Sequence, residues 1–172
     1  MIERPQFEFI DDYRIRLIAD WHVDFCIVQI VVPKGFETDG ASVPRLFWNI
    51  ITPFGPIRYE AILHDFGYQY GYWLTTYDDK QAYNLQSYKA KDYFPEFGNY
   101  IPIYINSDRI FFDKIFDDKM PHVSNWQSFI CYKFVRQFGQ YTWDKYRTKG
   151  PKVYGHNSLG LPGIINGQLV VC

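Results

Sequence analysis

A chain of 172 residues, 47% hydrophobic and carrying a net charge of −1, is long enough to bury its own core and has no basic excess to draw it to nucleic acid or anionic lipid. Cys26, Cys131 and Cys172 show no CxxC spacing, which argues against a zinc site or a disulfide framework and reads as reduced intracellular thiols. The start, Met-Ile-Glu-Arg-Pro, lacks the basic and apolar regions of a signal peptide, and no window approaches the roughly 18 apolar residues needed to span a bilayer.

In chain order, Phe7 to Val32 reads as two or three antiparallel strands. The run from Tyr13 to Ile18 alternates with period two, and Phe25 to Val32 is a β-branched run ended by Pro33-Lys34-Gly35. Pro44, Pro53, Gly55 and Pro56 leave room only for a short helical turn over Arg45 to Ile50. Ile57 to about Trp73 is apolar nearly all round and predicts a buried helix, with Gly67 and Gly71 against it. Residues 75–105 read as an irregular excursion with a short helix over Lys80 to Lys91. Asn106 or Ser107 caps a helix to Met120, and Ser124 caps one to Gly139 that buries a stripe of Trp126, Phe129, Ile130, Phe134 and Phe138. From Gln140 onward Gly and Pro break the chain into loops, with a terminal strand from Gln168 to Cys172.

Within the buried helix, His64 and Asp65 are adjacent and about 100° apart, so they face different neighbours. A histidine there needs a partner for its second nitrogen, and a carboxylate needs hydrogen bonds, a cation or a proton. Asp108, followed by Phe111, Phe112 and Ile115, lies on the core-facing stripe of its helix, whereas Asp113 and Asp117 fall outside it. Asp108 either accepts an N–H from His64, fixing the tautomer that takes a proton from water, or complements the helix dipole. Asp39, before Gly40, either joins turn carbonyls in a site suited to Ca²⁺ or closes an Asx-turn. His22, His122 and His156 lack metal partners at i+3 or i+4, Lys149-Gly-Pro-Lys is a solvated turn, and no nucleophile elbow surrounds Ser42 or Ser128.

The blocks VPKGFETDGASVPRLFW, AILHDFGY, SDRIFFDKI and CYKFVRQFG, over about residues 30 to 140, resemble a phage and bacterial family, domain of unknown function 1353. That resemblance implies a bacteriophage protein, in the host cytoplasm or the virion, without an assigned activity. More distantly the same blocks resemble the bacterial and fungal secreted phospholipase A2 group, through Thr38-Asp39, Pro53-Phe54-Gly55, His64-Asp65-Phe66-Gly67-Tyr68, Asp108-Arg109-Ile110-Phe111 and Phe138-Gly139. By that likeness His64 activates water, Asp108 orients it, and Asp65, Asp39 and the Gly40 carbonyl hold Ca²⁺, which polarises an ester carbonyl. Ala41 and Ile62 stand where that group has cysteines.

The expected fold is α+β: N-terminal strands over 1–36, a phospholipase A2-like His-Asp helical core over 37–139, and a loop-rich extension over 140–172. The expected function is a Ca²⁺-dependent lipid or ester hydrolase. The competing expectation is a non-catalytic virion or host-interaction protein, partnered by other phage structural proteins, in which the His-Asp cluster is structural. A metal phosphohydrolase of HD type would need more histidines, since only His22 precedes the pair.

Overall fold

A computed structural model describes residues 4–12, 14–25, 28–40, 55, 57–76, 100–103, 108–116, 125–150, 159 and 161–170. Over them the chain is α+β, with antiparallel sheets and a helical region packed on a common core. The alternating N-terminal sequence forms β1 (Phe7–Phe9) and β2 (Ile15–Leu17), and β2 also pairs with β5 (Glu37–Thr38) in the order β1-β2-β5. Ile15 and Leu17 point into the core while Arg16 points out and bonds Glu37 Oε1 through Nη2 at 2.6 Å, as a period of two requires.

The β-branched run forms the hairpin of β3 (Trp21–Phe25) and β4 (Val28–Val32), in register from Trp21 opposite Val32 to Phe25 opposite Val28. β4 continues through β6 (Trp73–Thr76) to β7 (Tyr100–Ile103), and Pro102, which lacks a ladder donor, is tolerated because β7 lies at the sheet edge. The two ends of the excursion expected over 75–105 thus pair as strands. The helices expected over Arg45 to Ile50 and Lys80 to Lys91 lie outside the described residues.

α1 (Arg58–Tyr70) is the central helix, and most of its residues are buried. It stops three residues short of Trp73 because Gly71, at φ 82°, takes the left-handed conformation and returns its N–H to the Gly67 carbonyl. After Tyr72 the four residues Trp73–Thr76 join the sheet as β6, and the Trp73 indole N–H donates to the Leu63 carbonyl at 2.9 Å. Gly67 lets α1 touch the next helical segment: a Cβ there would lie 2.2 Å from Phe112 Cδ1. Phe112 is fully buried between Trp73 and Trp143 and has no room to swing. Gly67→Ala is therefore expected to lower stability by about 1–3 kcal/mol despite the roughly 1 kcal/mol better helix propensity of Ala, as urea denaturation would show.

α2 (Arg109–Asp113) has five residues and tightens into a 3₁₀ turn, Lys114–Phe116, so the helix expected to reach Met120 changes phase midway, and residues 117–120 lie outside the described residues. α3 (Asn125–Lys149) passes straight through Gly139, ten residues beyond its expected end. Much of its expected stripe faces outward, with Trp126 50% and Phe129 55% exposed, while Phe134 is half-buried and lines, with the exposed Phe138, a cavity beside α1. The inward face carries Cys131, Val135, Gly139 and Tyr146, and its small residues admit α1, since a Cβ on Gly139 would meet the Tyr68 hydroxyl at 2.6 Å. At the far end of α3, Arg147 lies over the Trp143 ring and donates to the Tyr68 and Gln69 carbonyls, satisfying the C-terminus of α1. Desolvation pushes its guanidinium pKa down to about 10. A last hairpin, β8 (Gly163–Ile165) and β9 (Gln168–Val170), packs on α3, and residues 171–172 of the expected terminal strand lie outside the description.

Candidate active site

His64 sits on the inward face of α1, 5% exposed, with a carboxylate at each ring nitrogen. Nε2 lies 3.2 Å from Asp113 Oδ1, and Nδ1 lies 3.4 Å from Asp65 Oδ1. The carboxylate that reaches His64 across the helix pair is thus Asp113, not Asp108. Asp108 is exposed and serves as N-cap of α2, its Oδ1 accepting the Phe111 N–H at 2.9 Å. The phase change explains the exchange: the stripe read from Asp108 assumed a continuous 3.6-residue period, but the chain tightens after Asp113, and Phe112, Asp113, Ile115 and Phe116 turn inward together.

Asp113 is fully buried and saturated with donors. The Tyr68 hydroxyl donates to Oδ1 at 2.5 Å, Arg136 Nη1 donates to Oδ2 at 2.9 Å, and Arg109 Nη1 stands 3.5 Å from Oδ2. Arg109 also ties α2 to α3 by donating to the Val135 and Arg136 carbonyls. Burial alone would raise the Asp113 pKa, but the donors from His64, Tyr68 and Arg136 outweigh it and hold the carboxyl below its usual range. Burial likewise opposes the imidazolium of His64, yet Asp113 and Asp65 together lift its pKa above the ordinary 6.5.

On the other side Asp65 meets the Thr38–Gly40 turn. The Thr38 hydroxyl donates a short hydrogen bond to Asp65 Oδ2, and the Gly40 N–H donates to Thr38 Oγ1 at 3.0 Å with Gly40 at φ 73°. Thr38 therefore makes the link, while Asp39 lines the same cavity as His64 and Asp65. This cavity, of about 240 Å³, has an apolar wall of Ala61, Phe116, Phe134, Val135 and Phe138. Among the described residues no three His, Cys, Asp or Glu side chains converge to hold a metal ion.

Sequence reasoning missed Glu60, one turn before His64. It is 1% exposed, neither carboxylate oxygen has a hydrogen-bond partner among the described residues, and desolvation pushes its pKa up to about 7. Burial, reinforced by Glu60, pushes the free thiol of Cys131 up to about 12. Arg136 and Tyr68 were also missed as partners of Asp113. Tyr68 carried a signal, since i+4 spacing from His64 puts it on the same helical face.

Together these features define an α+β domain with a buried, arginine-braced His–Asp pair at a cavity that has one apolar wall. Residues 15–135 match the family described as Protein of unknown function (DUF1353), and the chain belongs to that family. Comparison with curated proteins and with solved structures gave no match. Among the described residues no helix is long and apolar enough to cross a membrane.

Proposed function

We propose that the protein is an ester hydrolase with a phospholipase A2-like site, acting on a lipid or a smaller ester. One observation carries the reading: His64 Nε2 is held by buried Asp113, while His64 and Asp65 line a cavity with an apolar wall. Asp113 takes the positioning role that the resemblance gave to Asp108. With Nε2 donating to Asp113, neutral His64 has a lone pair on Nδ1. A water entering between Nδ1 and Asp65 Oδ1, which stand 3.4 Å apart, gives that nitrogen its proton as its oxygen attacks the ester carbonyl. The imidazolium returns the proton to the leaving alkoxide as the ester C–O bond breaks, releasing acid and alcohol. The apolar wall seats the acyl part and excludes bulk water. Because His64 is held above 6.5, the rate should rise with pH through that raised value, as more of the ring loses its proton.

Two carboxylates at this wall, Asp39 and Asp65, have the hard-oxygen chemistry calcium takes, with the Asp65 oxygens also meeting Thr38 and His64. Asp39 and Asp65, with the Gly40 carbonyl, are the groups that would hold Ca²⁺, which accepts a few carboxylate and carbonyl oxygens completed by water. When bound, it would polarise the ester carbonyl and stabilise the oxyanion.

A second reading has its own support, since both His64 nitrogens have carboxylate partners and the ring is nearly sealed from solvent. In it the cluster is structural and the protein is a non-catalytic virion or host-interaction component. The bacteriophage setting is common to both readings and rests on the sequence blocks alone. Hydrolysis of mixed lipid vesicles across a calcium titration separates the two, with thermal stability followed in the same samples. The hydrolase reading expects turnover that rises with calcium and a raised Tm. Absence of both calcium-dependent stabilisation and turnover would sink it.

A further inference from the structure

One side of α3 serves the core, where Cys131, Gly139 and Tyr146 face α1 and Arg136 reaches Asp113. The opposite side carries Trp126, Phe129, Ile130, Phe138 and Tyr141, all exposed, Tyr141 to 73%. At about 100° and 1.5 Å per residue these five fall within roughly half of the helix circumference and run along it for roughly 22 Å. Phe134, half-buried, stacks on Phe138 with 4.6 Å between ring centroids and joins the two ends of the row. With about half of each large side chain uncovered, the row presents an apolar face on the order of 500 Å², at the upper end of what a typical monomer exposes.

We propose that this face docks on the surface of an anionic lipid bilayer. Charge decides the occupant. Lys133 lies over the Phe129 ring at 5.3 Å, Lys145 lies over the Tyr141 ring at 5.7 Å, and Lys149 follows one turn after Lys145. Asp144 is the one acid in α3, and its carboxylate already accepts the Gln140 amide at 2.8 Å. The near-neutral chain as a whole has no pull on an anionic surface, so the attraction is local to this face. Lysine stems that cover exposed aromatics and end in an ammonium suit the boundary between acyl chains and phosphates. Trp126 and Tyr141, at the two ends of the row, have the amphipathic rings that settle at head-group level. A second copy on the same face would set these lysines against their own counterparts, and like charges oppose docking. Among the described residues no helix is long and apolar enough to cross a membrane, so α3 lies along the surface. Docking involves no bond making, and the inference stands apart from the hydrolase reading.

The test measures co-sedimentation of the full chain with vesicles of ether-linked lipids, which lack acyl ester bonds, so that binding is read without turnover. One set is phosphatidylcholine alone and the other is phosphatidylcholine mixed with phosphatidylglycerol. Wild type should partition onto the mixed vesicles about tenfold more strongly than onto the neutral ones, and added salt should weaken it. Trp126→Gln with Phe129→Gln should lower partition onto the mixed vesicles by about tenfold or more. Lys133→Gln with Lys145→Gln should remove most of the preference for the anionic set, about tenfold. Phe9→Gln, at an exposed aromatic on β1, should leave both values unchanged. Urea denaturation midpoints confirm that each variant is folded. No partition of wild type onto the mixed vesicles, equal partition onto both sets, or an unchanged value in the Trp126 and Phe129 variant would each overturn the proposal. Sedimentation velocity supplies the rival occupant: a wild-type dimer that the same variant dissociates would assign the face to a second copy and overturn it as well.

Discussion

Asp113→Ala is expected to lower folding stability by about 3–5 kcal/mol, because it removes the one carboxylate facing three cationic or cationisable side chains in a closed interior. Arg136, Arg109 and His64 all converge on Asp113, and its side chain has no contact with solvent. Removing it leaves those donors and the Tyr68 hydroxyl without their acceptor. Asp113→Asn keeps the shape and one acceptor oxygen and should fall between wild type and Asp113→Ala. Asp108→Ala is the informative control: it deletes a single exposed N-cap bond to the Phe111 N–H and should cost about 1 kcal/mol. Urea denaturation midpoints for the three variants give the ordering directly. Equal losses for Asp108→Ala and Asp113→Ala would mean that the buried hub has been assigned to the wrong carboxylate.

The second large effect depends on pH. Folding raises the Glu60 pKa from 4.5 to about 7, so the folded chain holds this proton more tightly than the unfolded one. The sign follows: the associated stability is fully present below pH 4.5 and is lost as pH rises through about 7. At about 1.4 kcal/mol per pH unit the loss amounts to about 3 kcal/mol. Glu60→Gln removes the ionisation and is expected to be more stable than wild type by that order at pH 8, and close to it near pH 5. His64 adds a loss in the same direction, above 6.5, but it is common to both proteins and cancels in the difference. A pH series of denaturation curves for the pair tests this, and a difference that stays constant with pH would contradict it.

The sheets were legible because half-buried antiparallel strands alternate with period two, as Ile15, Arg16 and Leu17 do in burial. α1 was legible for the opposite reason, since a helix buried on nearly every side needs no polar stripe. Its end was blurred because Gly71 could be read either as a tolerated interior glycine or as the left-handed cap that it is. The aromatic stripe of α3 misled, because helical spacing of large apolar residues does not say which face meets the core. There the small residues Cys131 and Gly139 decide, by allowing α1 to come close.

The candidate site was legible in part. His64 and Asp65 were recognised as facing different neighbours, and the Thr38–Gly40 turn does meet Asp65. The partner of His64 was misassigned because a one-turn helix followed by a 3₁₀ turn has no single period to extrapolate. The arginines that brace Asp113 come from i−4 on α2 and from α3, 23 residues away. A contact of that range has no local signature. Glu60 was invisible for a related reason, since a glutamate on a helix is usually solvated, and it is tertiary packing, with Cys131 of α3 near it, that buries this one.

The proposed hydrolase depends on His64, oriented by Asp113, activating water at the cavity wall. Its most direct measurement is hydrolysis of a soluble short-chain ester by wild type and by His64→Gln, at pH 8 with calcium present, after denaturation curves have shown both proteins folded. Wild type is expected to turn the ester over and His64→Gln to lose about 10²–10⁴-fold, the usual contribution of a positioned general base. A wild type that does not exceed the buffer rate, or a His64→Gln variant that keeps the wild-type rate, would contradict it.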